Sequence, residues 1–89
     1  MFNLFKISCE YGHIETIRLL LSDKRVNPSD RNNGAIIHAA MNGHTEIVKL
    51  LLSDKRVNPS DLNNYAIRYA AMNGHTEIVK LLQKYGCKL

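Results

Sequence analysis

The apolar positions along this chain alternate between two helical signatures separated by a polar link. In Ala35–Asn42 (AIIHAAMN), Ile36, Ala39 and Ala40 stand at i, i+3 and i+4 and so share one helical face. Two adjacent alanines on that face let a neighbouring helix approach closely. Gly43 follows, suited to the left-handed conformation that ends a helix. The next segment, Thr45–Leu52 (TEIVKLLL), is apolar nearly all round, with Ile47, Val48, Leu50, Leu51 and Leu52. Only Glu46, Lys49 and Ser53 form a polar stripe, and a helix with so narrow a wet face packs on several sides. Glu46 suits the positive helix start, and Lys49 lies one turn on. The link Ser53–Asn64 (SDKRVNPSDLNN) holds Pro59 and three asparagines, which is turn chemistry rather than a third helix. Val57 is expected to tuck inward while the polar residues project.

This unit recurs. Gly12-His13, Gly43-His44 and Gly74-His75 are spaced 31 residues apart, and Gly12–Asn42 differs from Gly43–Asn73 at only eight of 31 positions. Leu19–Asp30 (LLLSDKRVNPSD) reappears letter for letter as Leu50–Asp61. Identity at a fixed period signals a solenoid of supersecondary units, each leaning on the next.

These residues resemble the ankyrin-repeat family, whose units are paired short helices joined by a projecting β-turn. The resemblance is carried by Ala39-Ala40-Met41-Asn42-Gly43-His44-Thr45-Glu46-Ile47-Val48-Lys49-Leu50-Leu51-Leu52, by Val57-Asn58 ahead of Asp61, and by the matching run Ala70–Leu82. It covers nearly the whole chain. Two departures stand out. The period is 31 rather than the family's usual 33, with one residue fewer after the leucine run and one fewer near Asn64. The family's Thr-Pro-Leu-His opening is replaced by Gly34-Ala35-Ile36-Ile37 and Tyr65-Ala66-Ile67-Arg68, so its hydroxyl–imidazole network is not expected. Shortened repeats of the DKRVNPSD style are similar to those in the expanded ankyrin families of large DNA viruses and protists.

The expected fold is therefore all-α: an ankyrin-repeat solenoid of three helix-turn-helix repeats joined by projecting turns. One domain spans 1–89, with repeats at about 1–29, 30–60 and 61–89. In the first repeat Asn3 stands as an N-cap, and Phe5, Ser8 and Cys9 take the places of Ile36, Ala39 and Ala40. In the last, Leu21 and Leu52 give way to Gln83, which with Lys84 and Lys88 makes the polar outer face a terminal repeat needs.

Composition sharpens this picture at a few points. Eighty-nine residues, 45% apolar and 22% charged, make one small globular domain. A core this size is marginal unless something braces it, and the stacked repeat is that brace. No apolar run approaches the roughly 18 residues of a membrane span, and the opening Met1–Ile7 lacks a basic segment and a signal-length apolar stretch. A cytoplasmic, monomeric protein with free thiols and no membrane contact is the expectation.

Candidate chemistry is thin. His13, His44 and His75 recur too far apart for one zinc, because stacked helices sit about 8–10 Å apart and ligands lie about 2.0–2.1 Å from the ion. They read as structural repeat residues, and no metal or cofactor is expected. His38 stands alone. Cys9 fills an alanine slot as a small core residue, whereas Cys87 falls in a tail expected to be exposed. At opposite ends of the stack, the two cysteines are too far apart for a disulfide. No Ser-His-Asp set, phosphate loop or HExxH appears, so no enzyme is expected. Lys24-Arg25 and Lys55-Arg56 could bind phosphates, but Asp23 and Asp54 precede them and no aromatics interleave.

The informative positions are those where the two long copies differ. Arg31/Leu62, Gly34/Tyr65, Ile37/Arg68 and His38/Tyr69 lie in the turn and first helix, and helical spacing sets Ile37, His38, Arg68 and Tyr69 opposite the alanine face. The resemblance implies that this side forms a concave partner-binding surface, and Tyr and Arg are favoured hot-spot residues. The expected function is a non-catalytic protein-interaction module that binds a partner protein through Tyr11, Arg31, His38, Met41, Leu62, Tyr65, Arg68, Tyr69 and Met72. The alternatives are nucleic-acid or acidic-partner binding on the basic surface, or a minimal repeat-family member without a dedicated partner.

Overall fold

A computed structural model describes residues 4–89, leaving aside the side chains of Lys6, Arg31 and Asn32. Asn3, the expected N-cap, lies outside the described residues. The described chain forms six helices: α1 (Leu4–Tyr11), α2 (Ile14–Leu21), α3 (Asp30–Met41), α4 (Thr45–Leu52), α5 (Asp61–Met72) and α6 (Thr76–Lys84). They pair as α1 with α2, α3 with α4 and α5 with α6. The first helices α1, α3 and α5 stack into one layer, and α2, α4 and α6 into a second.

Each pair turns at a Gly-His corner. Gly12, Gly43 and Gly74 hold φ of +79°, +79° and +78°, a left-handed conformation that closes the first helix. The backbone N–H of each following histidine then reaches back to a first-helix carbonyl: His44 to Ala39 at 2.9 Å and His75 to Ala70 at 2.9 Å. The second helix starts at the next residue.

Burial follows position in the stack. In the central α4, Ile47, Val48, Leu51 and Leu52 are all buried, whereas α2 buries only Ile17 and α6 only Ile78 and Leu82. A helix with neighbours on both sides loses its apolar surface to both; a helix at an end loses half. The first-helix layer packs through small residues: Ser8, Cys9, Ala39, Ala40, Ala66 and Ala70 are fully buried around Ile36 and Ile67. The alanine slot filled by Ser8 carries a cost, since its Oγ is buried without a hydrogen-bond partner, worth about 1–3 kcal/mol of lost solvation.

Two sequence expectations are corrected. Ile37 does not face away from the core; it is buried, because α3 is enclosed by α1 and α5. Cys87 is not in an exposed tail. Gly86 turns the chain at φ +88°, the Cys87 N–H returns to the Leu82 carbonyl, and the side chain is buried at 3% exposure. Burial pushes the Cys87 thiol up, and it pushes Cys9 up to about 12, with Glu10 adding to the effect.

The same alanine meets opposite environments in successive units, since Ala40 is fully buried and Ala71 is exposed. Ala40→Leu should overpack the α3–α5 contact and cost about 1–3 kcal/mol, while Ala71→Leu should leave the urea midpoint of the dilute protein unchanged. The corner glycines offer a second comparison. A Cβ on Gly43 would lie 2.7 Å from the His75 ring, whereas one on Gly74 would meet nothing within 4 Å. Both alanine variants bear the left-handed penalty of about 1–2 kcal/mol. Gly43→Ala should therefore lower the melting temperature clearly more than Gly74→Ala.

Candidate functional site

The link before each first helix sets the orientation of the exposed face. Asn58 Oδ1 accepts from the Ser60 N–H (3.1 Å) and Oγ (2.9 Å), and Asp61 Oδ1 accepts the Leu62 N–H at 2.8 Å. Leu62, Asn63 and Asn64 then run left-handed, at φ 54°, 57° and 61°, before α5 continues right-handed. Asparagine tolerates this region; leucine rarely enters it. Leu62 consequently stands out from the turn, 46% exposed.

Beyond that turn, Ala66, Ile67 and Ala70 bury one face of α5. Tyr65, Arg68 and Tyr69, at i, i+3 and i+4, share another. The Tyr65 and Tyr69 rings stack with centroids 4.3 Å apart and planes 11° from parallel. The Arg68 guanidinium carbon lies 5.7 Å from the Tyr65 centroid, within cation–π range. A hydrogen bond with Tyr69, reinforced by desolvation, pushes the Tyr65 phenol up. Among the described residues Arg68 has no carboxylate partner, whereas Arg18 pairs with Glu15, Arg25 with Asp23 and Arg56 with Asp54.

The other candidates are more scattered. Met72 ends the same helix and is 71% exposed, and Tyr11 ends α1 at 68% exposure. Tyr11 lies near His13 (ring centroids 6.5 Å) rather than near the α5 aromatics. His38 is half-buried, with Nδ1 4.0 Å from Glu10 Oε1. Met41 is half-buried against the core, and its carbonyl accepts from Asn73 Nδ2 and His75 Nε2 at 3.0 Å each. The Arg31 side chain lies outside the described residues. Of the nine positions, then, Tyr65, Arg68 and Tyr69 form one contiguous cluster.

Asn33 is a residue the sequence reading missed. It is buried, accepts the Asn58 N–H through Oδ1 at 2.7 Å and donates through Nδ2 to Asp61 Oδ2 at 2.9 Å. It thereby clips one link to the next. Asn64 repeats half of this, its Oδ1 taking the Lys88 N–H at 3.4 Å. The available signal was recurrence of the Asn-Asn pair at one repeat position, which drift at exposed positions does not explain.

The histidines act between units. His44 Nε2 donates to the Glu10 carbonyl at 2.6 Å, and His75 Nε2 to the Met41 carbonyl at 3.0 Å. Among the described residues no group of three His, Cys, Asp or Glu side chains gathers as a metal site. No helix among them is long and apolar enough to cross a membrane.

The basic pairs of the links are partly neutralised in place. Asp23 Oδ2 takes Arg25 Nη2 at 2.8 Å, while Oδ1 takes its Nε at 3.1 Å and its backbone N–H at 2.9 Å. Asp54 and Arg56 repeat the clip, and Arg56 Nη1 also donates to the Val26 carbonyl at 3.0 Å. The Arg25 hydrogen bonds hold Asp23 down at about 2, against an ordinary 3.8, and those of Arg56 likewise lower Asp54. A depressed carboxylate stabilises the fold above its unfolded pKa and loses that contribution as pH falls through the folded value. A carboxyl-carbon NMR titration should place the Asp23 midpoint near about 2, and Arg25→Gln should return it toward 3.8. Because both groups are exposed, global stability should move little between the two proteins.

The family model described as ankyrin repeats (three copies) matches residues 4–89, spanning all six helices. A search against curated proteins gives no match.

Proposed function

Because this chain belongs to the ankyrin-repeat family, whose members are in general protein-interaction modules, we propose that it binds a partner protein without catalysis. The binding face is that of the turns and first helices. One observation carries this reading: the half-buried Tyr65–Tyr69 stack with the exposed Arg68 laid over it. Stacked aromatics are rigid before contact, so little side-chain entropy is lost on binding. A guanidinium without an acidic partner is open to a carboxylate or carbonyl of the incoming chain. Leu62 and Met72 extend the patch along α5, and Tyr11, Arg31, His38 and Met41 belong to the same proposed face at the earlier units.

The basic-surface alternative draws less support. Arg25 and Arg56 are held by Asp23 and Asp54, which leaves isolated lysines rather than a continuous positive stripe. Phosphate binding of that kind would show as retention falling steeply with salt.

The test is comparative capture from cell extract, read by mass spectrometry. Proteins retained by the wild type should be lost by the Tyr65→Ala/Arg68→Ala/Tyr69→Ala variant and kept by Lys24→Ala/Lys55→Ala. Hot-spot truncations of about 2 kcal/mol or more each make that loss at least roughly thirtyfold. Unchanged capture by the triple variant would refute the proposed face.

A further inference from the structure

The joint between units is made twice inside the chain and half-made at each end. In the first joint, His44 Nε2 donates to the Glu10 carbonyl and its ring lies on Gly12, where a Cβ would sit 3.0 Å away. In the second, His75 reaches the Met41 carbonyl and covers Gly43. At the last unit Gly74 keeps the same φ of +78°, but nothing lies within 4 Å of where its Cβ would be. At the first unit His13 is exposed, in the same backbone conformation as the two joined histidines: φ/ψ is −83°/78°, against −86°/77° and −86°/71°. A formed socket and a formed plug therefore stand at opposite ends of the stack that these 89 residues form.

The apolar surfaces around them match in the same register. At the first unit Leu4 is 47% exposed where its counterparts Ala35 and Ala66 are buried, and Leu19 is 73% exposed where Leu50 and Leu81 pack on the core. At the last unit Ala71 and Met72 are exposed where Ala40 is buried and Met41 packs on the core. Gln83 makes the α6 end polar, yet the α5 end stays apolar beside its open glycine.

We propose that these two faces bind each other between copies of the chain, with His13 of one copy on Gly74 and the Met72 carbonyl of the next. The contact continues the joint already present between units. It is heterologous, so it propagates head to tail rather than closing as a two-fold dimer. It is also small and lacks the asparagine of the internal joints, since Tyr11 replaces it, which makes a weak and reversible association. This inference concerns the ends of the stack and does not rest on partner binding at Tyr65, Arg68 and Tyr69, although Met72 belongs to both faces.

Sedimentation of the 89-residue chain over roughly 10 µM to 1 mM tests it, a range suited to a weak interface. The average mass should climb from 10.1 kDa with concentration and show no plateau at the dimer. His13→Ala and Met72→Asp should each weaken association about tenfold, for lost hydrogen bonding or packing. Their circular-dichroism melts should match the wild type; should Met72→Asp lower the melt, Ala71→Glu probes the same face. Each variant retains one sound face, so an equimolar mixture should associate as the wild type does at the first step and stop at the dimer. A mass fixed at 10.1 kDa throughout, a closed dimer insensitive to both substitutions, or a mixture no stronger than either variant alone would each overturn the proposal.

Discussion

The fold depends on one imidazole laid on one bare glycine. A helix leaves its last carbonyls without intrahelical donors, and here the next unit supplies them. His44 and Asn42 reach the Glu10 carbonyl at 2.6 and 3.5 Å, and His75 and Asn73 reach that of Met41 at 3.0 Å each. The ring comes this close only because Gly12 and Gly43 carry no Cβ, and the same glycines adopt the left-handed turn that ends the helix. Termination, chain reversal and attachment to the neighbour thus fall on one dipeptide. No unit completes its own helix end, so stability resides in the joints between neighbours.

The opposite edge of the stack is held by polar chemistry under strain. Three consecutive left-handed residues, Leu62, Asn63 and Asn64, cost about 1–2 kcal/mol each for a residue with an ordinary side chain. Asparagine reduces that figure, and the turn gives something in return. It aims Asn64 at the tail that follows, and the left-handed Asn33 of the middle unit is buried with two hydrogen bonds to Asn58 and Asp61. A buried amide satisfied on both of its ends is specific as well as stabilising. The link therefore serves as a second joint, and its shortness relative to other family members still leaves this geometry intact.

Much of this was legible because the repeat is written in the sequence. The 31-residue period, the alanine face, the apolar second helix and the glycine corners located the helices and the stacking direction. What escaped depended on where in the stack a residue falls. Ile37 and Arg68 occupy one repeat position, yet the first is buried and the second exposed. Helical periodicity gives the angle of a side chain but not whether a neighbour stands there. Cys87 escaped for a related reason. Tyr85-Gly86 shortens the link, so Cys87 packs inward as Val57 does, and a polar-looking tail conceals an apolar anchor. Among candidate site residues, i, i+3, i+4 spacing placed Tyr65, Arg68 and Tyr69 together. Spacing does not fix the rotamers that bring the two rings into a stack.

The division of labour between faces explains which substitutions the repeat has accepted. The joints use backbone carbonyls, a glycine without a side chain and alanines that fill contact, none of which tolerates added bulk. Eight changes separate the two long copies, and none falls on Gly43, His44, Ala39 or Ala40. The first-helix changes collect instead where Gly34, Ile37 and His38 become Tyr65, Arg68 and Tyr69. In the middle unit these positions have a neighbouring helix on each side, as the burial of Ile37 between α1 and α5 and the approach of His38 to Glu10 record. In the last unit the same positions stack aromatic and cationic side chains against each other at the surface. One scaffold position can therefore pack a core in one unit and present a rigid polar-aromatic surface in the next, because the joints fix the backbone before those side chains are chosen.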